Sequence, residues 1–373
     1  MAVACARIIE WIERFAPKSL AEDWDSVGLQ VGDPSATVEK VYVALDVDED
    51  VVQAAVAQNC QMIVSHHPLI FKPISSLRWD LPQGRLLRSI IDQRLNIYAA
   101  HTNLDTAPGG VNDVLAAKLG LEDVQPLYED KREELVKLAV FVPADQEGAV
   151  RQAMGNAGAG HIGNYSHCTF RTLGQGTFLP LEGTNPYIGK VGKLEEVAEV
   201  RVETIVPKKR LNRVLKAMLK AHPYEEVAYD LYPLLNQGPV NGLGRIGRLP
   251  EAVTIEELAK RIKKSLGIDH LRWVGRDKHK RVQKIALCGG SGASAISKAH
   301  FKGAQAYLTG DIKYHEAQSA LSLGLDIFDA GHFATEQPVV AELALRLQET
   351  AKGEKADVTF LFHRENQDPI AYL

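Results

Sequence analysis

Paired cysteines, a basic excess and long apolar runs are all missing from this sequence. The four cysteines, Cys5, Cys60, Cys168 and Cys288, are scattered and form no CxxC pair, which excludes a thiolate zinc knuckle and a thioredoxin-type motif. They are expected to be reduced, mostly buried thiols. No stretch approaches the roughly 20 apolar residues of a membrane helix. The start does not read as a secretory leader, because Arg7, Glu10 and Glu13 interrupt it, while Ile8, Ile9, Trp11, Ile12 and Phe15 fit one helix face. Lys and Arg number 43 against 47 Asp and Glu, a net charge of −4. Without a basic excess, sequence-independent nucleic-acid binding is disfavoured, and the clearest basic cluster is only Lys208, Lys209 and Arg210. No tract is of low complexity. What is present is ordinary globular composition, 45% hydrophobic and 24% charged over 373 residues, for which two or three domains are expected. On these features a soluble cytoplasmic protein with no membrane partner is expected.

The apolar pattern divides the chain in three. Residues 1–128 alternate short buried strands (Lys40 to Leu45, Met62 to Ser65, Leu95 to Ala100) with helices (Glu49 to Asn59, Leu86 to Gln93, Val111 to Leu119), the pattern of a mostly parallel α/β sheet. Residues 129–238 change character. Strands at Leu135 to Val142, Cys168 to Leu173 with Thr177 to Leu179, Glu196 to Ile205 and Glu226 to Tyr232 surround helices at Asp145 to Ala157 and Lys208 to Ala221. That β-α-β-β-α-β order predicts a ferredoxin-like α+β domain, inserted into the first. Residues 239–373 resume the α/β pattern, and the two outer segments are expected to share one sheet. Strands there fall at Val282 to Leu287, Ala306 to Leu308, Asp326 to Asp329 and Val358 to Phe362. Helices fall at Ile255 to Leu266, Ala293 to Lys302, His315 to Leu323 and Thr335 to Ala351.

Three strand ends carry metal-ligand chemistry. Ser65-His66-His67-Pro68 follows an apolar strand, and at a strand's end both imidazoles can project into the cleft where α/β folds place ligands. His101-Thr102-Asn103-Leu104-Asp105 follows the next strand. Asp105 is a hard carboxylate able to ligate or bridge. His101 could ligate, orient Asp105 or carry a proton. Gly331-His332 leads into a helix in which Glu336, four residues on, shares a face with His332. His66, His67, Asp105, His332 and Glu336 form a nitrogen-and-oxygen set that suits Zn²⁺, Mn²⁺, Fe²⁺, Co²⁺ or Ni²⁺ without choosing among them. Five ligands exceed a closed tetrahedral zinc site and fit two divalent ions about 3.5–4 Å apart, an arrangement suited to hydrolysis.

Other motifs stay open at this level. Asp311 and His315, after the strand Ala306 to Leu308, are four apart and could face one cleft as acid/base groups, or Asp311 could cap the helix. Gly289-Gly290-Ser291-Gly292 follows a strand and reads as a phosphate cradle or as a tight turn. In the insert, Gly158 to His167 and His222-Pro223-Tyr224-Glu225-Glu226 could line a small-ligand pocket or a subunit contact.

These motifs resemble one family. Glu22-Asp23-Trp24-Asp25-Ser26-Val27-Gly28-Leu29-Gln30-Val31-Gly32, Ser65 to Phe71, His101 to Asp105, Thr309 to His315 and Asp329 to Glu336 occur in the order of the Nif-three-like proteins, known as GTP cyclohydrolase 1 type 2 homologues. The resemblance implies a dinuclear site ligated by His66, His67, Asp105, His332 and Glu336, with Glu336 bridging. It implies a toroidal homohexamer and, in the insert, a PII/CutA-like domain of the longer bacterial members. The activity expected is metal-dependent hydrolysis, with ring opening of GTP at purine C8 as the named candidate and His101, His315 and Asp311 moving protons or orienting groups. The alternatives are a nucleotide phosphoesterase and a regulatory or scaffold metalloprotein whose insert senses a ligand or partner.

Overall fold

The computed structural model describes residues 2–236, 238–364 and 367–371. It divides into two compact units, Met1–Lys131 with Asn241–Leu373, and Arg132–Val240.

Among the described residues, the first unit builds its strands into two large sheets and a small two-stranded one, Val3–Ala4 with Thr37–Val38, not the one shared sheet expected. A five-stranded sheet runs in the order Thr359–Phe362, Lys40–Ala44, Met62–Ser65, Asn96–Ala99, Gly28–Val31. Its first four strands are parallel, and Gly28–Val31 is antiparallel to its neighbour. Met62–Ser65 and Asn96–Ala99 are buried at every residue, as parallel strands covered on both faces must be. A six-stranded sheet runs Arg272–Val274, Asp326–Asp329, Ala306–Gly310, Arg281–Ser291, Arg245–Thr254, Glu122–Pro126. Its central three strands are parallel and its flanks antiparallel.

Each outer segment lends an edge strand to the other's sheet. Thr359–Phe362 lies beside Lys40–Ala44, and Glu122–Pro126 beside Arg245–Thr254. Arg245, buried in the second sheet, forms a forked pair with Asp113 at 2.6 and 2.9 Å. The pairing satisfies a charge that would be costly to bury alone.

Helix limits follow local chemistry. Ile255–Leu266 begins with a capping box between Thr254 and Glu257 and stops at Gly267 in the left-handed region. Cys5–Phe15 buries Ile8, Trp11 and Ile12 on one face.

In the second unit, four antiparallel strands run in the order Thr169–Phe178, Glu195–Pro207, Leu135–Pro143, Tyr229–Pro233. Helices Glu147–Ala157 and Leu211–Ala221 bury Val150, Met154, Val214 and Met218 against Leu138, Val140, Val142, Val200 and Val202 of one sheet face. Thr169–Phe178 is one continuous strand through Gly174 and Gly176, where two short strands were expected. Both glycines pair in register with the neighbouring strand, so neither breaks the ladder.

Candidate metal centre

The parallel strands of both sheets end at one cluster. From the first sheet come Asp46, after Lys40–Ala44; His66 and His67, after Met62–Ser65; and His101, after Asn96–Ala99, with Asp105 on the short helix Thr102–Thr106. The second sheet supplies Asp311 after Ala306–Gly310. It also supplies His332 and Glu336 on the helix His332–Glu336, which follows Asp326–Asp329. That helix starts earlier than the Thr335 expected, so both ends of the four-residue spacing lie on it.

Each imidazole is held by its Nδ1. His66 Nδ1 meets the Ala100 carbonyl at 2.9 Å, His67 Nδ1 meets Asp46 at 2.8 Å, His101 Nδ1 meets Asp25 at 2.9 Å and His332 Nδ1 meets Asp311 at 2.8 Å. With Nδ1 tied to an oxygen, each ring presents Nε2, the arrangement that orients imidazoles toward a metal. Glu336 Oε2 lies 2.9 Å from His67 Nε2 and 3.1 Å from His332 Nε2. On its other side Glu336 Oε1 lies 3.7 Å from His66 Nε2, which is 3.6 Å from Asp105 Oδ1. Two ligand groups result, His67 with His332 and Glu336, and His66 with Asp105 and Glu336, and Glu336 belongs to both. A third group joins His101 to His66 and His67.

The buried polar atoms test whether a cation fits. His66 Nε2 and Asp105 Oδ1 are buried and lack a hydrogen-bond partner. Leaving such atoms unpaired costs about 1–3 kcal/mol each. They face each other beyond hydrogen-bond distance, and a cation between them would satisfy both. The donor set is imidazole and carboxylate, suited to a divalent transition metal.

Charge accumulates accordingly. Burial opposes charging His67, but its hydrogen bonds with Asp46 and Glu336 raise its pKa to about 10. The hydrogen bond to Glu336 lifts His332 to about 9 against burial. Burial opposes ionisation of Glu336, yet the surrounding imidazoles hold it well below the usual carboxylate range. Burial pushes the Asp105 carboxyl upward, only partly offset by His66. Asp25, also opposed by burial, is held down to about 2 by His101 and Thr102.

The glycine run is neither a phosphate cradle nor a tight turn. Arg281–Ser291 continues as a strand through Gly289 and Gly290, with a register shift against its neighbour between Leu287 and Ser291. A Cβ on Gly290, whose φ is +61°, would lie 2.2 Å from Glu336 Oε1, and one on Gly289 3.4 Å from Glu336 Cγ. The glycines let the strand pass against the carboxylate.

Asp311 does not cap a helix. It has φ +59° and accepts hydrogen bonds from Ser291 Oγ and His332 Nδ1, while Lys313 precedes the helix Tyr314–Leu323. His315 is not brought to the cluster; it is exposed, 3.2 Å from Gln318 and stacked edgewise on Tyr314. Asp46 and the role of Asp25 escaped the sequence reading. Asp46 follows a buried strand just as His66 does, and that position was the available signal. His101 is flanked by Trp24 and Phe71, ring centroids 6.1 and 6.4 Å away.

The chain is similar to known proteins over nearly its whole length. The profile of the family Duf34/NIF3 (NGG1p interacting factor 3) matches residues 3–369. A "GTP cyclohydrolase 1 type 2 homolog" of Halalkalibacterium halodurans is 46% identical over 366 residues, covering 98% of each chain. Another of that name from Bacillus subtilis is 43% identical over 367 residues, again with 98% of each chain covered. The crystal structure of a Bacillus cereus protein related to NIF3 superposes with a TM-score of 0.93 at 44% identity, covering 99% of both chains. The chain belongs to the Duf34/NIF3 family.

Proposed function

We propose that the cluster holds two divalent cations and that the protein is a dinuclear metal-dependent hydrolase. The observation that carries this reading is Glu336, whose two oxygens face two separate ligand groups, one of which contains unpartnered buried atoms. His66 and Asp105 would hold one ion, His67 and His332 the other, with Glu336 across both. Such a pair, when bound, supplies Lewis-acid activation of water and stabilisation of a developing oxyanion. The chain's own residues do the rest. Asp46 and Asp311 fix the rings of His67 and His332, and Asp25 fixes His101. Positioned between the cluster and the rings of Trp24 and Phe71, His101 is the candidate proton carrier.

The relatives' names make a purine nucleotide the first substrate to try, with GTP ring opening as the named reaction. The strand order and the two-helix face of Arg132–Val240 support reading it as a ferredoxin-like, PII/CutA-like insert. Assembly into a homohexamer and a cytoplasmic location belong to the same proposal. No helix among the described residues is long and apolar enough to cross a membrane. A regulatory reading has one observation in its favour, the separate cavity within the insert considered below.

Elemental analysis of metal-supplemented protein, coupled to a nucleotide-consumption assay with chelation and metal restoration, tests the proposal. About two ions per chain and metal-dependent turnover are expected. A single ion per chain defeats the dinuclear assignment, and no turnover under any metal defeats the hydrolase.

A further inference from the structure

The insert carries a cavity of about 580 Å³, remote in sequence from every candidate metal ligand and lined only by residues of Arg132–Val240. Its size falls within the range of small-molecule sites. It lies on the sheet face opposite the helices. Phe141, Thr172 and Arg201 stand in one cross-strand row, and Gly174 and Glu199 in the next. These positions alternate with Val140, Val142, Val200 and Val202, which pack on the helices.

Three features define what the cavity would accept. First, its lining is mostly apolar and includes the rings of Phe141, Phe178, Tyr187 and Tyr224. Tyr224 lies 5.9 Å from Phe178 and 6.2 Å from Tyr187 between ring centroids. Such walls suit a flat ring system. Second, a buried carboxylate lines it. Glu199 is 9% exposed, and Oε1 accepts a hydrogen bond from Tyr224 at 3.1 Å. A Cβ at Gly176 would stand 2.0 Å from Oε2, so the glycine leaves that oxygen its place. Third, Arg201, two residues along the same face, has a buried Nε without a hydrogen-bond partner, while its terminal nitrogen pairs with Glu203 at 2.9 Å.

We propose that this cavity binds a flat heteroaromatic whose edge presents a carbonyl beside two N–H donors, the pattern of guanine and pterin rings. The carboxylate of Glu199 accepts the two N–H groups, as carboxylates accept the fork of a guanidinium. Arg201 donates to the neighbouring carbonyl. The aromatic walls cover the ring faces. Glu199, Glu225 and Glu226 outnumber Arg201 in the lining, so the ligand is a base or nucleoside rather than a phosphorylated nucleotide. Adenine offers the opposite edge, and hypoxanthine lacks the second donor.

Calorimetric titration of the full-length protein with guanosine and inosine tests this, with and without chelator. Guanosine is expected to bind in both conditions, and inosine about tenfold or more weakly, the effect of one hydrogen bond to a charged group. Glu199→Gln should cost guanosine a similar factor. Gly174→Val gives an independent route, since no atom lies within 4 Å of the added Cβ and the side chain would enter the cavity. With chelator present it should abolish binding, while Gly267→Ala, which lies outside the cavity and the metal centre, leaves it unchanged. Equal affinity for guanosine and inosine, no guanosine binding by folded wild-type protein, or guanosine binding that survives Gly174→Val would each overturn the proposal.

Discussion

Replacing Gly290 with alanine isolates the contact on which the centre depends. The backbone there has φ +61° and the new Cβ would meet Glu336 Oε1 at 2.2 Å. A non-bonded carbon–oxygen contact needs roughly 3.2 Å, so the carboxylate must retreat by about 1 Å. Ligand distances in metal sites tolerate only about ±0.2 Å, so a retreat of that size removes Oε1 from one ion. His332 Cε1, at 3.2 Å from the same Cβ, is crowded as well. The left-handed backbone adds about 1–2 kcal/mol for any L side chain. Gly267→Ala serves as the control, because it has φ +68° with nothing within 4 Å. Both variants should lose a few degrees of melting temperature to strain, roughly 2–4 °C per kcal/mol. Only Gly290→Ala should weaken metal binding, by about 10–100-fold or more, read by calorimetry and elemental analysis. Wild-type stoichiometry and affinity in Gly290→Ala would refute the argument that the glycine run exists to admit Glu336.

Glu336→Ala should lose one or both ions, because its oxygens face both ligand groups; unchanged metal content by elemental analysis would remove it as the bridge. His101→Ala should retain the metals and slow turnover by about 10²–10⁴-fold, whereas loss of metal in that variant would make His101 a ligand. Metal uptake should release protons, since His67 and His332 hold theirs up to about pH 10 and 9 and must shed them to ligate. Affinity should therefore weaken as pH falls, and binding heats should vary with the ionisation enthalpy of the buffer; buffer-independent heats would contradict this. Glu354 is held down from 4.5 to about 2, against burial, by hydrogen bonds from Arg14, Trp11 and Arg7. A depressed carboxylate stabilises the fold above its unfolded value and loses that effect as pH falls through its folded one. The melting-temperature gap between wild type and Glu354→Gln should thus be full at pH 7, shrink below about 4.5 and close near 2, and a gap constant over that range would count against the assignment.

The clustering of these side chains was legible because two local rules point at them. A buried parallel strand delivers its next residues to the sheet edge, which singles out His66, His67, His101 and Asp105. Spacing of four on a helix puts His332 and Glu336 on one face. The second rule misled for Asp311 and His315, since Asp311, at φ +59°, lies before the helix begins at Tyr314. Four residues define a shared face only inside a helix. Asp46 and Asp25 were harder to read because an isolated aspartate after a strand has many uses. Its role appears only when the ring it holds arrives, from 21 residues away for His67 and 76 for His101. The glycine run was misread for a related reason. Glycine after a strand usually signals a turn, and the carboxylate that requires the space stands on another element. Sheet membership was out of reach for the same cause, since apolar runs report burial on both faces and say nothing of which neighbour pairs with Thr359–Phe362.

Apart from Asp311 and His315, these misreadings concern pairings between distant segments, and the centre itself is such a pairing. His66, His67 and Asp105 extend from the sheet built around Lys40–Ala44, and His332 and Glu336 from the sheet built around Ala306–Gly310. Neither set alone offers both ligand groups, because each group includes Glu336 and at least one of His66 and His67. The exchanged edge strands therefore matter to the chemistry as well as to the fold. Thr359–Phe362 completes the sheet that carries His66 and His67, and Glu122–Pro126 completes the one that carries Glu336. The second sheet can then bring a glycine-lined strand to the carboxylate that faces both imidazole groups, so the centre forms only where both outer segments have folded together.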